Sequence, residues 1–307
     1  MTDFDSVLLI AFGGPEKIQD VRPFLEIVSA GRRIPPARLE EVAHHYELIG
    51  GRSPLNELTM RQAEGLRQAL QRDGVPTPVY VGMRNWHPFL HETLAEMRDR
   101  GRRRALGIIL SSFQTEASWE RYVADVAAAR EKVGAGAPEV VYAPPWAEHP
   151  RFIDAMVARA ADALAEVPAP KRAGALLIFT AHSVPVAMAN GSPYARQLEA
   201  AALVIAGRLG HARWQTAYQS RSGAPGDPWL EPDICDAIRG VNGQGIEDVV
   251  VVPIGFVCDH VEVLYDLDVE ARAVAAEVGV RLHRAQTAND HPAFIAMLAD
   301  LVARGPR

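Results

Sequence analysis

The sequence predicts an α/β protein built from two similar halves, each a four-stranded parallel sheet wrapped by helices. Three observations carry this reading. Short β-branched runs alternate with long helical patterns from end to end, the signature of parallel sheets covered by helices. The candidate strands fall into two groups of four. Two matching helix starts, Glu148-His149-Pro150 and Asp290-His291-Pro292, follow the last strand of each group, with proline at the first helical position.

The first group of strands is expected at 7–12, 79–83, 106–111 and 140–142, and the second at 175–180, 215–218, 249–257 and 280–283. Helical periodicity covers 37–46, 59–71, 88–100, 117–133, 150–167, 194–209, 262–278 and 292–303. A boundary near Pro144-Pro145 divides the chain into domains 1–146 and 147–291, with 292–307 returning to pack on the first.

Composition excludes several classes of function. The chain of 307 residues is 48% apolar and 23% charged, ordinary for a globular protein. A formal charge of −6 leaves no basic footprint for nucleic acid. No apolar run reaches transmembrane length, and the acidic start Met1-Thr2-Asp3-Phe4-Asp5 is not a signal peptide, so a cytoplasmic location is expected. Two cysteines, Cys235 and Cys258, cannot supply the four ligands of an iron–sulfur cluster. The oligomeric state is unreadable from the sequence.

Open parallel sheets bind ligands beyond the carboxyl ends of their strands, which directs attention to the strand-end segments. Gly13-Gly14-Pro15 after the first strand has neither dinucleotide nor Walker spacing and reads as a tight turn. The run from Asp259 to Glu270 is the most informative segment. Glu262, Asp266 and Glu270 stand at i, i+4 and i+8, so on a regular helix they share a face with a drift of about 40° per step. Such a row suits a hard divalent cation. It also suits a solvated face opposite a core stripe of Leu264, Leu267, Ala271 and Val274, with Asp259 as N-cap and Glu262 as its capping-box partner. The residues alone leave both readings open. His182 sits where the fifth strand emerges, before Pro185, and is either a structural donor or a chemical group. If the strand leading into the acidic run neighbours the fifth strand, His182 and Glu262 meet, and such a pair accepts protons near neutral pH or binds a borderline divalent metal.

Two strings resolve the choice. Phe179-Thr180-Ala181-His182-Ser183-Val184-Pro185 resembles the Phe-x-Ala-His-Ser-x-Pro signature of ferrochelatases. The stretch from Pro253 through His260 and Glu262 to Asp268 is similar to that family's second signature. Gly50-Gly51-Arg52-Ser53-Pro54-Leu55, Tyr218-Gln219-Ser220 and Asp227-Pro228-Trp229-Leu230-Glu231-Pro232 match in family order over nearly the whole chain.

The resemblance implies two Rossmann-like (flavodoxin-like) domains with the active-site cleft between them, and insertion of Fe2+ into a porphyrin during haem biosynthesis. By that resemblance His182 and Glu262 are catalytic, and His182, Glu262, Asp266 and Glu270 handle metal or protons. Glu16, Arg32, Arg33, Ser53 and Arg84 are expected to bind substrate, the arginines through propionates. Fe2+ is expected as a substrate, with no tightly bound cofactor and no iron–sulfur cluster. The pattern is most similar to bacterial coproporphyrin III ferrochelatases. It departs from some of them where Glu16 replaces a tyrosine after the Gly-x-Pro turn and where Glu47 replaces a basic residue beside Tyr46. Protoporphyrin IX as substrate, cobalt or nickel chelation, and a non-catalytic tetrapyrrole carrier are the alternatives.

Overall fold

A computed structural model describes residues 3–31, 35–222 and 226–306. The chain forms two compact units. The first comprises Met1–Ser111, Ala117–Pro145 and Asp290–Arg307, and the second Ser112–Glu116 and Trp146–Asn289. The short segment Ser112–Glu116 thus joins the second unit, which a division into two continuous stretches does not allow.

In the first unit β1 (Ser6–Ala11), β2 (Val79–Met83), β3 (Arg104–Ile109) and β4 (Glu139–Tyr142) form a parallel sheet in the order β2-β1-β3-β4. Val7, Leu8, Leu9 and Ile10 are fully buried, as near-continuous apolar runs must be when helices cover both faces. The helices are α1 (Ile18–Ser29), α2 (Pro36–Leu48), α3 (Leu55–Arg72), α4 (Leu90–Asp99) and α5 (Arg121–Val133). α1 was not expected from the sequence, because Pro23 lies inside it.

The second unit repeats the plan. β5 (Leu176–His182), β6 (Trp214–Gln219), β7 (Asp248–Val252) and β8 (Arg281–Arg284) are parallel, in the order β6-β5-β7-β8. α6 (Pro150–Glu166), α7 (Val186–Asn190), α8 (Tyr194–Arg208) and α9 (Ile234–Arg239) belong to it. At five and six residues, α7 and α9 are too short for periodicity to reveal. The core gathers Ile178, Val249 and Val251 from the sheet with Val263, Leu267 and Ala271.

Three expectations need correction here. The strand foreseen over 249–257 ends at Val252, because Pro253 lacks an amide for the ladder and the chain then turns so that Gly255 N–H donates to Thr180 O at 2.9 Å. The regular helix foreseen over 262–278 is broken into α10 (Val261–Tyr265), a π-helical segment Asp266–Ala271 and α11 (Arg272–Glu277). The core stripe therefore runs through Val263, Leu267 and Ala271, all fully buried, and Leu264 is only partly covered. Finally, Asp259 is not the helix cap. His260 holds that position, with no side-chain cap bond, while Asp259 accepts from Arg284 Nη1 at 3.2 Å and Thr287 N at 3.3 Å.

The paired helix starts read from the sequence are capped alike, by imidazole. His149 Nδ1 accepts from Arg151 N at 3.3 Å, and His291 Nδ1 accepts from Ala293 N at 3.2 Å. The latter opens α12 (Pro292–Arg304), which packs in the first unit against α3, where a Cβ at Gly65 would lie 3.0 Å from Ile295 Cγ1.

Candidate active site

In the second sheet the connections from β5 run to β6 on one side and towards β7 on the other, so the strand order reverses between β5 and β7. Ligands of open parallel sheets bind at such a switch point, outside the carboxyl ends. His182 is the last residue of β5, and the chain leaving β7 delivers Glu262 on the first turn of α10. Their approach depends on Gly255. A Cβ there would lie 2.4 Å from Ala181 Cβ and 2.5 Å from Ala181 Cα, so only glycine lets the turn lie flat on β5 beside His182.

His182 is held through its backbone and through one ring nitrogen. Its carbonyl accepts from the Tyr194 hydroxyl at 2.8 Å, and its register partner is Gln219 on β6. The ring Nδ1 donates to Ser183 O, which leaves Nε2 as the working nitrogen. Nε2 stands 3.6 Å from Glu262 Oε1, with the two side chains 31% and 38% exposed. The other Glu262 oxygen lies 3.3 Å from His260 Nε2. Gln219 Nε2 donates to Glu262 O at 2.6 Å and so ties α10 to β6.

Burial presses the His182 imidazole toward neutrality, but the Glu262 carboxylate, the Ser183 carbonyl and Asp266 outweigh it and raise its pKa to about 9. Burial works to raise Glu262, yet His182 and His260 hold it well below the usual carboxylate range. The resting pair at neutral pH is thus imidazolium and carboxylate. Asp266 behaves oppositely. Burial pushes its carboxyl up to about 7, and Glu262 and Glu270 add to this against the Ser220 hydroxyl bond. Ser220 adopts φ 61°, a left-handed backbone costing a non-glycine residue roughly 1 kcal/mol or more. That conformation aims its hydroxyl at Asp266 Oδ2.

Three carboxylates in a row thus occupy three environments. Glu262 is charged beside two imidazoles, Asp266 is buried and titrates near neutrality, and Glu270 is exposed. Among the described residues no group of three His, Cys, Asp or Glu side chains is arranged to hold a metal ion. His182 Nε2 and Glu262 Oε1 face one another at a separation that two ligands of one divalent ion can have. With metal–nitrogen and metal–oxygen bonds of about 2.1 Å, a 3.6 Å separation corresponds to a ligand angle of roughly 120°.

His260, Gln219 and Ser220 complete the site and were not singled out from the sequence. The first lies two residues before Glu262, and the other two stand in the Tyr218-Gln219-Ser220 string, so position beside known partners was the only signal.

Glu16, Ser53 and Arg84, the expected substrate residues that are described, lie in the first unit. Asn56 pins the turn after β1, accepting from Gly14 N at 2.9 Å and donating to Gly14 O at 2.9 Å and Glu16 Oε1 at 3.1 Å. Ser53 is buried against Gly14, and its hydroxyl accepts from Leu55 N at 3.3 Å. Arg84 is 9% exposed, bonds Asp125 at 2.5 Å and lies 4.3 Å over the Tyr122 ring. Arg84, Asn85, His91, Arg121 and Lys132 are among the residues lining a cavity of about 510 Å³. Burial and Lys132 lower the His91 pKa, and its neutral Nε2 lies 3.0 Å from Lys132 Nζ. Arg32 and Arg33 lie outside the described residues. Among the described residues no helix is long and apolar enough to cross a membrane.

Fold and site define an α/β protein with a paired imidazole and carboxylate at the mouth of its second sheet. The family model described as Ferrochelatase matches residues 5–305. A coproporphyrin III ferrochelatase of Mycolicibacterium paratuberculosis is 46% identical over 98% of this chain and 88% of its own. A ferrochelatase of Rhodopirellula baltica is 42% identical over 97% of this chain and 85% of its own. The chain belongs to the ferrochelatase family. The fold is shared more widely. The cobalt complex of the sirohydrochlorin chelatase SirB from Bacillus subtilis subspecies spizizenii superposes with a TM-score of 0.55 at 9% identity, covering 97% of this chain and 94% of the other.

Proposed function

We propose that this protein inserts ferrous iron into coproporphyrin III to give Fe-coproporphyrin in haem biosynthesis, with Fe2+ as substrate and no resident cofactor. The observation that carries the reading is the His182–Glu262 pair at 3.6 Å on the switch point of the second sheet. Insertion exchanges one Fe2+ for two pyrrole N–H protons, and the metal keeps its charge. The site must therefore accept protons and release metal.

A two-donor site suits that task, since it leaves the remaining positions of the ion free for porphyrin nitrogens. His182 Nε2 and Glu262 exchange a proton for the ion, because an imidazolium cannot coordinate. Asp266, titrating near 7 behind Glu262, is placed to take a proton from the pair and pass it toward exposed Glu270.

Two observations support coproporphyrin over less acidic porphyrins. Relatives named for that substrate match at 46% and 45% identity over nearly the whole chain. The first-unit cavity also carries Arg84, Arg121 and Lys132, and a porphyrin with four propionates supplies more partners for such cations than one with two. Two buried cysteines outside any disulfide, Cys235 and Cys258, are consistent with a reducing cytoplasm. The test is anaerobic steady-state metalation with purified protein, offering coproporphyrin III and protoporphyrin IX with Fe2+, Co2+ and Zn2+. Faster iron insertion into coproporphyrin III is expected. Faster metalation of protoporphyrin IX would overturn the substrate, faster use of Co2+ would overturn the metal, and binding without turnover would overturn the enzyme.

A further inference from the structure

Arg284, the last residue of β8, bonds to Asp268, Asp259 and Ala285 O rather than to His182, Glu262 or Asp266 among the described residues. Its side chain is only 12% exposed and is engaged in two directions. Nε donates to Asp268 Oδ1 at 2.8 Å, and Nη1 donates to Asp259 Oδ1 at 3.2 Å. These two aspartates bracket the working segment. Asp259 lies three residues before Glu262, and Asp268 lies two residues after Asp266, within the π-helical stretch. One guanidinium thereby fastens both ends of the segment that carries Glu262 and Asp266 to the edge strand of the sheet.

The clamp is reinforced at the Asp259 end. Asp259 N donates to Asn289 Oδ1 at 2.9 Å, Thr287 Oγ1 donates to the same oxygen at 2.8 Å, and Asn289 Nδ2 donates back to Asp259 Oδ2 at 3.4 Å. Asn289 holds a left-handed φ of 47°, stabilised by its own N–H bond to Val257 O at 2.8 Å. At the Asp268 end Arg284 has weaker help, a 3.7 Å contact from the half-exposed Arg272. Ser220 holds the start of the same π-helical segment at Asp266, and Arg284 holds its Asp268. A π turn replaces the regular i to i−4 bonds by i to i−5 ones and is found mostly at functional sites.

We infer that Arg284 is a positioning residue for iron insertion, fixing the Glu262–Asp266 segment so that Glu262 faces His182. A lysine keeps the charge but not the fork that reaches two carboxylates at once. A neutral amide keeps the shape of one arm and loses the ionic hold.

The inference rests on the function proposed above, so its test has a readout independent of turnover. Arg284→Gln, Arg284→Lys and Asp268→Asn would be compared with the wild type by hydrogen exchange and by steady-state kinetics per folded site. Arg284→Gln is expected to raise amide exchange across 260–271 by tenfold or more while β5 and β6 stay protected. Its kcat for iron insertion is expected to fall at least tenfold with the porphyrin KM within about twofold of wild type. Arg284→Lys should recover part of kcat, and Asp268→Asn should reproduce the exchange change and part of the kinetic loss. Faster exchange with unchanged kcat would reduce Arg284 to a structural role and overturn the inference. Lower kcat with unchanged exchange would overturn it too. A wild type without turnover would refute the proposed function and the positioning claim with it, while the exchange data would still decide whether the clamp exists.

Discussion

Glu262 divides its carboxylate between two imidazoles, with Oε1 3.6 Å from His182 Nε2 and Oε2 3.3 Å from His260 Nε2. The consequence is a cationic His182 at neutral pH, since its pKa is raised to about 9. A metal ion arriving at this pair displaces a proton before it coordinates. Binding of Fe2+ at about pH 7.5 is therefore expected to release about one proton per ion at this site. Release should decline above about pH 9, where the wild-type imidazole is already neutral. Anaerobic titration calorimetry in buffers of different ionisation enthalpy measures the number directly. Proton release unchanged in His182→Ala would show that the proton comes from elsewhere.

Asp266 carries the opposite signature. Burial holds its proton to about pH 7, against 3.8 for an ordinary aspartate. Between those values the folded state binds more protons than the unfolded chain, so stability falls as pH rises through this window. Asp266→Asn removes the dependence and can still accept from Ser220. Thermal melts of the two proteins should nearly coincide in slope above about pH 8 and diverge most between pH 4 and 7. The variant should also lack the carboxylic-acid infrared band that the wild type retains at pH 6. Parallel melting curves across that range would refute the buried, protonated carboxyl.

Gly255 shapes the site by having no side chain. Because a Cβ there would meet the Ala181 backbone at 2.5 Å, Gly255→Ala must move either the turn or β5. Overpacking of this kind costs about 1–3 kcal/mol. Urea denaturation should register that loss, and turnover should fall as well, because Ala181 precedes His182. Wild-type stability in the variant would mean that the turn is looser than its contacts imply.

Much of this was legible in the sequence, for physical reasons that also mark the limits. The central strands β1, β3, β5 and β7 could be located because buried parallel strands are rich in Val, Ile and Leu, and the strands beside them by the alternation with helices. The adjacency of β5 and β7 then brought His182 to Glu262, as the acidic run had suggested. The π turn was not legible, since a bulge of one residue leaves composition and spacing almost unchanged and depends on what docks against it. Here the partners are Ser220 and Arg284, 46 and 16 residues away from the aspartates they hold. For the same reason Asp259 read as a cap. Its local spacing to Glu262 suited one, but Arg284 and Thr287, distant in sequence, take its oxygens instead. The Arg84–Asp125 ion pair was likewise not legible, because nothing local announces Asp125.

The central claim is that His182 and Glu262 together perform iron insertion. Its most direct test is anaerobic metalation of coproporphyrin III by wild type, His182→Ala and Glu262→Gln, with porphyrin affinity followed in parallel by fluorescence. Loss of general acid–base catalysis typically costs a factor of about 10² to 10⁴. Each variant is expected to lose at least about 10²-fold in kcat while binding porphyrin measurably. Near-normal turnover in His182→Ala would contradict the account.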